Sequence, residues 1–232
     1  MKISAGRSDL DAMIVEIELT LVSIIQGVAL TVLIENAHNI VSELQFFFWL
    51  YVVAGLLVIF VFWSRAVLHI ITVIRWPLEF GHNFLYIACA LVEAILFAQL
   101  ARPVRWFSFG AAFIAIGWAL FVYDLRLIQA RMRDSPGDAS SRLFARVLRD
   151  QWLNIGLLLP AMFFLNLLCA ICIRTWPQIF IGNDAHIWLI GCQIVGFVGY
   201  LFYVVRFYVG LAPLISAARQ EWRTSTGNGQ RS

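Results

Sequence analysis

Phe46-Phe47-Phe48-Trp49-Leu50-Tyr51-Val52-Val53-Ala54-Gly55-Leu56-Leu57-Val58-Ile59-Phe60-Val61-Phe62-Trp63 is the stretch on which the reading of the fold turns. It carries no charge and no polar–apolar alternation, which argues against a barrel strand. At 1.5 Å per residue a helix of this length covers about 27 Å, close to the ~30 Å hydrocarbon core of a bilayer. Backbone groups in lipid must bond to one another, so the run is expected as a transmembrane helix.

Comparable apolar runs lie on either side of it, at roughly 13–34, 83–101, 106–123, 152–173 and 187–205. The 232-residue chain is 61% hydrophobic and only 13% charged, where a soluble domain has about a quarter of its residues charged. The expected fold is therefore all-α: a polytopic integral membrane bundle of about six transmembrane helices, forming one domain over 1–223. A cytoplasmic or interfacial loop is expected at 124–151 and a disordered tail at 224–232. The first run carries Glu16 and Glu18 and has no A-x-A cleavage site, so it is expected to stay as a permanent helix.

With six spans and both ends on one side, fourteen of the seventeen Lys and Arg residues share that side. Only Arg102, Arg105 and Arg174 fall opposite. The positive-inside rule then puts both termini in the cytoplasm. Sixteen of the seventeen are Arg, a bias expected of a GC-rich bacterial genome, and the expected location is the cell inner membrane. The net charge of +3 is juxtamembrane and suits anionic lipid headgroups, not nucleic acid.

Local signals refine the layout. Ser64 to Arg75 prolongs the second helical pattern, so that this helix either projects beyond the bilayer or tilts to let Arg65 and His69 snorkel to the interface, and Pro77 is expected to end it. The fourth helix is expected to run through Arg126 to Arg133 and stop at Asp134-Ser135-Pro136-Gly137-Asp138. Ser140 or Ser141 then caps an interfacial helix whose apolar face is Leu143, Phe144, Val147 and Leu148. Arg142, Arg146 and Arg149 line its other side, as a contact for lipid or for a cytoplasmic protein. Pro160 should kink the fifth span, with Asn154 and Asn166 bonding between helices. Ala111, Ala115 and Ala119 offer a small-residue face, and Trp49, Trp63, Trp106, Trp152 and Trp188 suit an aromatic belt. Residues 207–218, interrupted by Gly210 and Pro213, read as the end of the sixth helix plus an interfacial piece.

Polar residues at membrane depth are costly and mark pathways or helix contacts. His82, Tyr86, Cys89 and Glu93 fall on one stripe of the third span, and a carboxyl group at Glu93 is a proton-binding candidate near neutral pH. Glu16, Thr20, Ser23, Gly27 and Thr31 form a stripe on the first span, with Gln26 on its shoulder; such a face can line a pore or serve close packing. The four cysteines, including Cys169-x-x-Cys172, lie in apolar surroundings and are expected to pack as small hydrophobes. Four scattered histidines make no metal or haem cluster by spacing, and no catalytic motif is present. No metal or cofactor is implied.

In span count and in its polar first helix the layout is similar to the six-helix potassium channel family of lysosomes and bacteria. The family's Phe-Ser-Asp signature has no counterpart in Ile24-Ile25-Gln26-Gly27-Val28, so membership does not follow. The expected function is a small oligomeric channel or transport protein for ions or protons, acting as a homo-oligomer. The alternative is a non-catalytic scaffold or sensor that binds a cytoplasmic partner through the Arg-rich 124–151 segment.

Overall fold

The computed structural model describes residues 3–43, 46–73, 79–134 and 137–228. Among these the chain is all helical: α1 (Ile3–Ser42), α2 (Trp49–Thr72), α3 (Phe80–Phe97), α4 (Pro103–Arg133), α5 (Asp138–Leu153), α6 (Leu159–Thr175) and α7 (His186–Asn228). A π-helical segment, Asn154–Leu158, joins α5 to α6 without a break. Six helices are long and apolar enough to cross a membrane, the compound α5–α6 counting as one.

Several boundaries move outward from the apolar runs, because hydrogen bonding continues past the point where the side chains turn polar. Residues 35–42, beyond the first apolar run, belong to α1. The helix α2 extends through Arg65 and His69 to Thr72, and α4 reaches Arg133, as the patterns suggested; Pro77, Ser135 and Pro136 lie outside the described residues. Pro213 does not interrupt α7, which is described to Asn228. The expected tail 224–232 thus begins as helix, and 229–232 lie outside the described residues.

Pro160 is the second residue of α6, inside the continuous α5–α6 rod, where a proline removes a helical hydrogen bond. The π segment directly before it widens the register, and the Leu159 N–H bonds to the Asn154 carbonyl. What reads as an interfacial helix and a separate fifth span is one continuous rod. Its N-terminal start is not capped by Ser140 or Ser141. Glu221 of α7 instead accepts from the Ala139 N–H (2.7 Å), the Ser140 N–H (2.9 Å) and the Ser140 hydroxyl (3.0 Å). An acidic group suits a helix N-terminus.

The helices close a ring: α1 packs on α2 and α3, α2 on α7, α7 on α5, α5 on α4, and α4 on α3, with α6 laid against α4. Glycine permits close approaches between helices, among them those at Gly55 and Gly110. A Cβ at Gly55 would stand 2.8 Å from Leu33 Cδ1, and one at Gly110 would stand 2.8 Å from Asn166 Oδ1. The α4–α6 contact therefore runs through Gly110 and the buried Ala111; Ala119 of the expected small-residue face is exposed. Trp106 likewise leaves the expected belt and is fully buried, whereas Trp152 and Trp188 are exposed.

Candidate functional site

The ring encloses two polar networks, one towards each end. The first gathers at the Tyr51–Trp106–His186 end. The Tyr51 hydroxyl lies 3.1 Å from His186 Nδ1, and the tyrosine ring meets Trp106 edge-on. Trp106 Nε1 donates to Gln193 Oε1 (2.9 Å), Gln193 Nε2 donates to Asn166 Oδ1 (2.9 Å), and Asn166 Nδ2 donates to the Met162 carbonyl (2.8 Å). The interhelical role expected of Asn166 is present, and Gln193 is its partner.

The second network is ionisable. Arg65 of α2 donates through Nη2 to Asp150 Oδ2 of α5 at 2.7 Å, and its guanidinium lies over the Phe121 ring. The Tyr203 hydroxyl donates to the other Asp150 oxygen. Asn154, on the π segment, accepts from the Tyr200 hydroxyl (2.6 Å) and donates to the Asp150 carbonyl (2.8 Å). One turn beyond Arg65, His69 stacks on His82 of α3, their centroids 4.8 Å apart. Both face Asp124 of α4: His82 Nδ1 lies 2.8 Å from Oδ1, and His69 Nδ1 lies 3.5 Å from Oδ2. Arg65, Asp150, His69, His82 and Asp124 border a cavity of about 40 Å³ together with Tyr86 and Gln151, enough for at least one water.

Along α3 the stripe of His82, Tyr86, Cys89 and Glu93 is wholly buried, facing protein as a carboxyl group at that depth requires. Gln26 of α1 donates through Nε2 to Glu93 Oε2 (3.1 Å) and approaches the Tyr86 hydroxyl (3.5 Å). Gln26 is near the middle of the candidate span Ala12–Ile40, and its bond puts Glu93 level with that point. Glu18 is buried too and accepts from Asn83 Nδ2 at 2.9 Å.

The first-span stripe points the other way. Glu16, Thr20, Ser23, Gly27 and Thr31 are exposed on the outside of the ring. Thr20, Ser23 and Thr31 each donate to the carbonyl four residues back. A hydroxyl satisfied within its own helix costs little in lipid, so this face does not demand water. Only Gln26, the shoulder residue, enters the interior.

Arg65 and His69 do not snorkel; their side chains are 10% and 11% exposed. Sequence spacing also missed the cluster of His69, His82 and Asp124, whose ligand atoms lie within 4.8 Å of one another. Its one signal was the helical continuation of α2 past Arg65, which places His69 opposite the start of α3. Arg142, Arg146 and Arg149 are exposed on α5, opposite the buried Leu143, Phe144 and Val147. The cysteines are free: Cys89 and Cys169 are buried, Cys172 is half-buried and Cys192 is exposed.

No protein-family model, curated protein or solved structure matches this chain.

Proposed function

We propose that the chain is a multi-pass inner-membrane protein, with both termini in the cytoplasm, that conducts protons or small ions. The observation that carries this reading is the row of buried polar groups contributed by five helices. It runs from Gln26 and Glu93 past Tyr86 to His82, Asp124 and His69, and on to Arg65 and Asp150. Intramembrane ionisable side chains facing a bundle interior mark ion or proton routes. The basic residues near this end supply the orientation, since the positive-inside rule puts it at the cytoplasmic face.

The route lies within one protomer, through the interior stripe of α3. The exposed stripe of Glu16, Thr20, Ser23 and Thr31 on α1 is then a contact surface for further copies in a homo-oligomer. The test is flux in liposomes loaded with a pH-sensitive dye. Wild-type protein should collapse an imposed pH gradient faster than empty liposomes. Glu93→Gln should slow that component about a hundredfold, the low end of what a positioned proton-transfer group contributes. Equal flux in wild type, mutant and empty liposomes would remove the reading.

The exposed basic row on α5 favours a second reading: a scaffold or sensor that holds a cytoplasmic protein or anionic lipid through Arg142, Arg146 and Arg149. Reversing those three charges should then abolish partner capture while Glu93→Gln leaves it intact.

A further inference from the structure

The cluster of His69, His82 and Asp124 brings two imidazoles and one carboxylate together from three helices. Two histidines and a carboxylate with further positions open is a set that first-row divalent metals accept. The separations suit it. With metal–ligand bonds of about 2.0–2.1 Å, ligand atoms stand about 2.9 Å apart in an octahedron and about 3.4 Å apart in a tetrahedron. His82 Nδ1 stands 2.8 Å from one Asp124 oxygen and His69 Nδ1 3.5 Å from the other. One ligand atom from each of the three residues lies within 4.8 Å of the others, so a bound ion would draw the set slightly together.

Two independent features point to a cation. His69 Nε2 is buried with no hydrogen-bond partner among the described residues while Nδ1 of the same ring faces Asp124, so Nε2 can carry the ring proton and leave the Nδ1 lone pair for a cation. The surrounding charge is also negative. Asp124 and Asp150 border the same cavity as Arg65, and Glu18 is bonded to Asn83, the residue next to His82. Three carboxylates thus stand against one guanidinium, which is itself held by Asp150. That balance disfavours an anion and favours a dication. The cavity has room for a water to complete the coordination.

We propose that His69, His82 and Asp124 bind one divalent transition-metal cation of the zinc, cobalt or manganese type. The metal ties α2, α3 and α4 together beside the cavity. Metal occupancy and flux are read in separate assays, so this inference can fail while conduction holds, and the reverse.

The test is Co²⁺ titration of the purified, metal-stripped full chain in detergent, followed by visible absorption and elemental analysis. One Co²⁺ per chain is expected, with the absorption of a nitrogen- and oxygen-ligated ion. His82→Gln and Asp124→Asn should each weaken binding at least about a hundredfold, more than the loss of a supporting outer-shell group. Their elution on size exclusion and their melting without metal report whether they fold. Where a variant does not fold, X-ray absorption of cobalt-loaded wild type decides, and imidazole plus carboxylate ligands support the site. A wild type that takes up no Co²⁺, folded variants that bind as well as wild type, or sulfur-to-cobalt bands from the cysteines would each overturn the assignment.

Discussion

At one end of the bundle Tyr51, His186, Trp106, Gln193 and Asn166 meet through short hydrogen bonds inside an aromatic shell. At the other, Arg65, Asp150, His69, His82 and Asp124 meet through ion pairs beside a cavity. Uncharged donors and acceptors can be matched almost one to one by neighbouring side chains. Charged groups ask for more partners than a helix interface supplies. The buried side-chain atoms left without a partner among the described residues reflect this: Arg65 Nη1 and His69 Nε2 lie in the ionisable network, Gln26 Oε1 and Glu93 Oε1 lie at the α1–α3 contact that continues it, and Gln99 Oε1 stands apart from it. An unmet buried polar atom costs roughly 1–3 kcal/mol, so these positions favour water or an ion. The aromatic network has its bonds matched, although Trp106 and Gln193 also border a cavity of about 70 Å³ that reaches Arg65, whereas the ionisable network leaves buried atoms unmatched.

The sharpest way to break this contrast is to remove one charge. Arg65→Leu strands Asp150 in the bundle and should cost about 3–5 kcal/mol, the usual penalty for halving a buried pair. A large fall in the melting temperature in detergent would register it, and the double change Arg65→Leu with Asp150→Asn should recover part of the loss. A single neutral bond should matter less. Gln193→Leu removes the link between Trp106 and Asn166, leaving the Trp106 N–H and Asn166 Oδ1 without that partner, and should destabilise by about 1–2 kcal/mol. Tyr51→Phe deletes only the hydroxyl facing His186, with an expected cost of about 1 kcal/mol. Glu221→Gln should have the smallest effect, since the half-buried side chain keeps an amide oxygen to accept the capping bonds; faster amide exchange at Ala139 and Ser140 would register it. If Gln193→Leu proved as damaging as Arg65→Leu, the two ends would not differ in the way described.

Much of the architecture was legible from the chain. Long uncharged runs dictate helices in lipid, and Asn166 and the stripe of His82, Tyr86, Cys89 and Glu93 turned inward as their polarity requires. The failures share one cause: side-chain polarity does not say which way a helix faces. The hydroxyls of Thr20, Ser23 and Thr31 look hydrophilic, yet each is satisfied by its own backbone and can face outward. Arg65 and His69 look like interfacial anchors, yet Asp150 and Asp124, 85 and 55 residues further on, draw them inside. Glu221 replaces Ser140 as the cap of α5 from 81 residues away. Such partners are set by the order of helices around the ring, which local periodicity does not encode.

The most direct test of the account compares proton flux in liposomes for Glu93→Gln and Gln193→Leu, each at matched protein incorporation. Conduction through the ionisable row predicts that Glu93→Gln loses nearly all protein-dependent flux while Gln193→Leu retains it. Flux that survives Glu93→Gln undiminished, or that falls equally in both variants, would contradict it.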